Sequence, residues 1–222
     1  MIVWLLIFGG VLAISYLLAL RSMRDFQEIP GEDEGYSLFL IRKPQELTVE
    51  TLKLLYDNFL KSGQVISFER LFKGDRSALV IFGPVRLTAV LKNLDLLELE
   101  DYTNVSPEQV LVWEMGVKHK RQVGGNIFGT FPPLGSAEHF WWQLMLSHSF
   151  KPQIRAVVVS ADPQKREAVS DLIENLSRDR LVRLPRGFSN ARMLEFYQQR
   201  SFKKSNGNPT ISTEEVVSLL KI

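Results

Sequence analysis

The sequence predicts an α+β chain: a single N-terminal transmembrane helix followed by two ferredoxin-like (split βαβ) α/β modules, the second degenerate. Three observations predict it. Residues 2–20 carry no charge. Residues 36–102 show strand-like and helix-like hydrophobic patterns in the order strand, helix, strand, strand, helix, strand, which is the split βαβ order. From residue 109 a related alternation restarts.

The uncharged run, Ile2 to Leu20, covers roughly 28 Å as a helix, close to the roughly 30 Å hydrocarbon thickness of a bilayer. Arg21 and Arg24 follow it directly. A cleaved signal peptide needs a basic segment before the run and a small-x-small site after it. No Lys or Arg precedes this run, and Leu18-Ala19-Leu20 offers no such site. The reading is therefore an uncleaved anchor over residues 1–24, held by Ile2, Trp4, Tyr16, Leu20, Arg21 and Arg24. The aromatics suit the two interfaces, and the one-sided arginines place the rest of the chain on the cytoplasmic side of the cell membrane. Residues 25–35 include EIPGEDEG (Glu28 to Gly35), an acidic linker without hydrophobic period.

The first module takes residues 36–104. Tyr36 to Ile41 is an apolar strand ended by Arg42-Lys43-Pro44. From Leu47 to Ser62, Leu52, Leu55, Tyr56, Phe59 and Leu60 share one helical stripe, closed by Gly63. Val65 to Phe72 alternates and turns through Lys73-Gly74-Asp75-Arg76 into Ala78 to Phe82, a hairpin. After Pro84, helical spacing returns in Leu87, Val90, Leu91 and Leu94, and Leu96 to Leu99 is a short strand.

The second module takes residues 105–202. Val110 to Val117 reads as a strand, Ala137 to Leu146 as an apolar helix, and Gln153 to Ser160 as a strand. Asp162-Pro163 caps and starts a helix to about Leu176, Leu181 to Leu184 is a short strand, and Asn190 to Phe202 is a helix. Residues 203–222 are a polar loop and a short last helix, opened by the capping box Ser212-x-x-Glu215.

Composition removes several chemistries. Without cysteine there is no disulfide, thiolate metal site or cysteine nucleophile. The 27 basic and 25 acidic residues give no overall steering toward nucleic acid. There is no phosphate-binding Gly-x4-Gly-Lys-Ser/Thr string, and Gly124-Gly125-Asn126-Ile127-Phe128-Gly129 lacks dinucleotide-loop spacing. His119, His139 and His148 have no metal-ligand spacing, and Asp162 sits where helix capping accounts for it. No catalytic constellation, cofactor or metal site is expected.

Two features point to surfaces. On a helix, Phe140, Trp141 and Trp142 point in three directions about 100° apart, so one core face cannot take them all. They are the candidate interaction surface, with burial between the two modules as the alternative. Arg178, Arg180, Arg183, Arg186, Arg192, Arg200, Lys203 and Lys204 face only Asp179 and Glu195 in the same stretch, a candidate basic patch for phosphates. Lys118-His119-Lys120-Arg121 is a second basic cluster.

Several strings resemble the membrane-proximal, non-motor N-terminal region of bacterial type IV secretion and conjugation ATPases. They are the apolar run, Phe39-Leu40-Ile41-Arg42, Ile66-Ser67-Phe68-Glu69, Glu100-Asp101-Tyr102, Gln153-Ile154-Arg155, Phe196-Tyr197, Arg200-Ser201, and Ile211-Ser212-Thr213-Glu214-Glu215-Val216. The last is similar to the segment before the motor domain in that class. With no Walker motif here, the resemblance carries over no ATP hydrolysis. It implies a non-enzymatic, membrane-anchored interaction or assembly protein of a secretion or DNA-transfer apparatus. Its expected partners are the membrane and another protein, either a motor ATPase encoded nearby or a second copy, with nucleic acid the lesser expectation. The alternative is a cytoplasmic-face hydrolase or nucleotide-binding enzyme whose site converges from Asp162, His139 and Arg155.

Overall fold

A computed structural model describes residues 2–31, 35–118, 134–135, 137–148, 150–185, 187–203 and 208–220, without the side chains of 2–6 and 20–25. The chain runs through helix α1 (Ile2–Asp25), strand β1 (Tyr36–Ile41), helix α2 (Val49–Asn58), strands β2 (Ile66–Lys73) and β3 (Arg76–Pro84), and a single helical turn α3 (Leu87–Val90). Strands β4 (Leu96–Leu99), β5 (Val110–Val117), β6 (His139–Leu146) and β7 (Gln153–Val159) follow. Helix α4 (Pro163–Ser177), strand β8 (Leu181–Arg183), α5 (Asn190–Gln198) and α6 (Thr213–Leu220) complete it.

Local chemistry sets these boundaries. Thr48 and Asp162 cap α2 and α4, accepting from the amides of Thr51 and Gln164. Pro163 sits at the first position of α4, where its missing N–H costs nothing. At α6 the capping box is reciprocal: Ser212 Oγ accepts from the Glu215 amide at 3.2 Å, and Glu215 accepts from the Ser212 amide at 2.7 Å. The β2–β3 hairpin pairs Lys73 with Arg76 across a two-residue turn, and Gly74, at φ 60°, supplies the left-handed first position.

All eight strands form one sheet in the order β4-β1-β3-β2-β6-β7-β5-β8, every adjacent pair antiparallel. The seam is β2 against β6, paired from Ile66↔Leu146 to Lys73↔His139. Outward from that seam, each half presents its second, third, first and fourth strand. One face is aliphatic and aromatic: Phe68, Ile81, Trp142, Leu144, Ala156 and Trp113 pack with Leu52, Leu55 and Phe59 near α2, Ile173 of α4, and Val216 and Leu220 of α6. The other face carries Val110, Val112, Trp141 and Val157 under Met193, Leu194, Phe196 and Tyr197 of α5.

The predicted fold class needs correction on two counts. It divided the chain into two separate modules, but β2 and β6 join both halves into one sheet, with one core cluster running across the seam. It also gave the chain a transmembrane helix. Among the described residues no helix is long and apolar enough to cross a membrane.

Two predicted helices also change. The run predicted as a helix over Ala137 to Leu146 is β6, and the helix predicted from Val85 to Leu94 shortens to α3 and a following 3-10 turn. Leu52, Leu55, Phe59, Leu87 and Leu91 are nevertheless all buried.

Candidate functional site

The α5 face of the sheet carries a row of polar side chains through its centre. Glu69 of β2 lies opposite Gln143 of β6, Gln143 opposite Arg155 of β7, and Arg155 opposite Glu114 of β5. Glu69, Gln143 and Arg155 are completely buried. A buried charge is tolerated only when paired and hydrogen-bonded, and these are. Glu69 accepts from Ser67 at 3.0 Å, Gln143 at 3.1 Å, Tyr102 at 2.6 Å, and Arg200 at 2.9 and 3.3 Å. Arg155 donates to Glu114 at 3.3 Å, Gln143 at 3.1 Å, the carbonyls of Phe196 and Ser201 at 3.0 and 2.7 Å, and Gln27 at 2.7 Å.

The row grips the C-terminal end of α5. Ser201 N–H donates to the Phe196 carbonyl and Arg200 N–H to the Tyr197 carbonyl, a Schellman closure. The residue in the left-handed position, where glycine is usual, is Arg200 at φ 50°. Its side chain explains the choice, because it turns inward to bridge Glu69 and Asp101, the latter at 2.7 Å. Arg155 and Gln143 take the carbonyls of Phe196 and Tyr197 in the last turn of α5, where the helix dipole favours a cation. At its other end α5 is tied to β5 by Asn190, whose side chain pairs with the Val112 amide and the Val110 carbonyl.

The electrostatics follow from burial. Burial alone would lower the Arg200 pKa, but Glu69 and Asp101 outweigh it and hold the guanidinium above its ordinary value. Burial would raise Asp101, and hydrogen bonds from Arg200 and Thr103 bring it below the usual carboxylate range instead. Burial, and then Glu69, push Tyr102 and Tyr197 well above an ordinary phenol. Both hydroxyls are therefore neutral donors, Tyr102 to Glu69, with the two hydroxyls 2.8 Å apart. On the aliphatic face, desolvation pushes Arg70 down to about 10.

The segment after α1 is fastened to the same network. Gln27 accepts from Arg155 and from Ser201, each at 2.7 Å, and Glu28 and Phe202 exchange two backbone hydrogen bonds. The part of the predicted linker at Gln27 and Glu28 is thus held by the sheet. On the far side of Tyr102, the ends of β2, β3 and β6 floor an open cleft of about 420 Å³.

The sequence-predicted residues land as follows. Phe140, Trp141 and Trp142 lie on a strand and are buried, Trp141 on the α5 face and its neighbours on the other. Phe140 and Trp142 are fully covered, and Trp141 is 3% exposed, at the floor of that cleft. The basic stretch is not one surface. Arg200 is buried in the network, Arg183 pairs with Glu174 at 2.7 Å and Arg192 pairs with Glu195, while Arg178 and Arg180 lie near the end of α4. Lys203 follows the network, with its amide on Gln153. Arg186, Lys204, residues 119–121 and the glycine-rich string 124–129 lie outside the described residues, as do the side chains of Ile2, Trp4, Leu20, Arg21 and Arg24. Tyr16 is exposed on α1.

Asp162, His139 and Arg155 do not converge. Asp162 is spent on capping α4, and Arg155 lies four residues along β7 from Val159, the partner of His139, a separation of about 13 Å. Among the described residues no group of His, Asp and Glu is arranged to hold a metal. Sequence reasoning missed Glu69, Tyr102, Gln143 and Tyr197 as a unit. The available signal was a polar residue inside an apolar strand, as with Glu114 in VLVWEMGV and Gln143 in HFWWQLML.

The sequence matches no protein-family model, and comparison with curated proteins and with solved structures finds no significant match. The keywords that tied the chain to a transmembrane helix, type IV secretion and conjugation therefore find no support in relatives, and the helix is corrected above.

Proposed function

We propose that this chain is a non-catalytic interaction protein held at a membrane by α1, with the eight-stranded body as its rigid, partner-facing part. The observation that carries this reading is the surface of α1. Ile7, Phe8, Val11, Leu12, Ile14, Tyr16, Leu17 and Leu18 are each more than half exposed. At 100° per residue they are spread around the helix rather than along one stripe. A protein groove would leave part of such a helix in water, whereas the headgroup–acyl boundary of a membrane surface can take up a short apolar helix without being crossed. Removing the seven aliphatic and Phe side chains from water is worth roughly 6–12 kcal/mol, taking about 0.6 of 1.5–3 kcal/mol each. The link from Gln27 and Glu28 to the network gives the body a fixed attachment to that helix. The saturated hydrogen bonding of the network supports a mechanical role over a catalytic one.

Membrane flotation of the full chain with phosphatidylcholine vesicles tests this. The protein should float with the vesicles, and Leu12→Gln with Leu17→Gln should shift it toward the soluble fraction while leaving the thermal transition of the body unchanged. Recovery of the unaltered chain as a soluble species that does not float overturns the reading.

A further inference from the structure

The cleft beside Tyr102 has its own chemistry. Its floor is Leu71 of β2, Ala78 of β3 and Trp141 of β6, its wall is Tyr102, and Lys73, Arg76 and His139 stand at its open end. The volume, about 420 Å³, lies in the range of small-molecule pockets.

Three basic residues occupy consecutive positions in one row across the sheet, Arg76 opposite Lys73 and Lys73 opposite His139. Like charges directly opposite one another on adjacent strands repel. Lys73 and Arg76 are exposed and make no ion pair among the described residues. The nearby carboxylates do not answer them: Glu69 and Asp101 are both taken by Arg200, and Glu138 by Lys165 at 2.6 Å. Asp75 sits in the turn between the two cations and does not line the cleft. Partial burial, and then Lys73, lower the pKa of His139, so at neutral pH it offers a neutral ring. Inside, Trp141 meets Tyr102 edge-to-face at 5.0 Å and 80°, and the His139 ring lies 6.2 Å from Trp141.

We propose that this cleft binds an aromatic organic anion, with its ring against Trp141, Tyr102 and Ala78 and its carboxylate or comparable charge between Lys73 and Arg76. Aromatic rings favour the edge and offset contacts that Trp141 and Tyr102 present. The anion relieves the repulsion between Lys73 and Arg76 and gains charge-assisted hydrogen bonds at the rim. The proposal does not depend on membrane attachment.

Photolabelling of the full chain with 4-benzoylbenzoate, mapped by peptide mass spectrometry, tests it. Label is expected in the peptides carrying Tyr102 and His139 to Leu146. Excess 2-naphthoate should compete at least tenfold better than the neutral 2-naphthalenemethanol. Lys73→Gln with Arg76→Gln should reduce cleft labelling about tenfold with an unchanged thermal transition, and Ala78→Leu should reduce it by filling the floor. Label confined to α1, or scattered over the chain, overturns the site. Cleft labelling that survives the double substitution, or equal competition by the neutral analogue, overturns the anionic class. Failure of the flotation experiment would leave all of these labelling outcomes unchanged, so the two readings fail separately.

Discussion

Replacing Glu69 by Gln tests the buried network at its most connected atom pair. The carboxylate accepts five hydrogen bonds, from Ser67, Gln143, Tyr102 and two nitrogens of Arg200. A carboxamide keeps the shape but must aim its NH2 at donors whichever way it is flipped, toward Tyr102 and Arg200 or toward Ser67, Gln143 and Arg200. It also removes the fully buried counter-charge of Arg200. Breaking a buried ion pair from one side costs about 3–5 kcal/mol. Asp101 stays as a second partner, but its side chain is 49% exposed, which puts the expected loss near the lower end, about 3–4 kcal/mol. For a chain of this size that is roughly 6–16 °C in the midpoint of thermal unfolding. The assay is far-UV circular dichroism of the full chain, melted at fixed detergent concentration, with Arg200→Met and the double variant closing a thermodynamic cycle. The two sites should couple by at least about 1.5 kcal/mol. A Glu69→Gln variant that melts within about 2 °C of the parent refutes the argument that this pair holds α5 to the sheet.

Two further predictions concern the core and acid stability. Phe59 is fully buried beneath the aliphatic face, so Phe59→Ala should cost about 3–5 kcal/mol; a loss under about 1 kcal/mol by urea titration would contradict the packing. Asp101 has a folded pKa below its ordinary value, so its contribution is present above about pH 4 and is lost as pH falls through the lower folded value. Asp101→Asn should therefore melt below the parent at pH 7, with the gap narrowing steadily below about pH 4. A gap that stays constant down to pH 2.5 would place the stabilisation elsewhere.

The limits of the sequence reading are instructive at β6. HFWWQLML is a continuous apolar run, and such a run does not distinguish a buried helix from a strand buried on both faces. Read as a helix, it leaves one aromatic ring without a core. As a strand, alternation sends Phe140 and Trp142 to one side and Trp141 to the other, and both sides are covered. Because β6 is also the seam, misreading it separated halves that share one sheet. Turns and caps fared better because they are local: Gly74, Asp162 and the Ser212/Glu215 box act within three residues of themselves. The polar row had no local signature. Glu69, Glu114, Gln143 and Arg155 are spread over 86 residues of chain and become neighbours only through strand register.

That dependence also runs in the other direction. Slipping β6 against β2 by one residue would carry Gln143 to the face occupied by Phe68, Trp142 and Leu144, away from Glu69 and the Tyr197 carbonyl that accept its amide hydrogens. A slip of two keeps the faces but sets Gln143 opposite Ser67 or Leu71, breaking the bridge between Glu69 and Arg155. Buried polar groups left unpaired cost several kcal/mol, in addition to what repacking the aromatic residues of β6 would cost. The row therefore reinforces one pairing of the seam. Since Arg155 also holds Gln27 and the end of α5, the same pairing fixes where the segment leaving α1 meets the sheet.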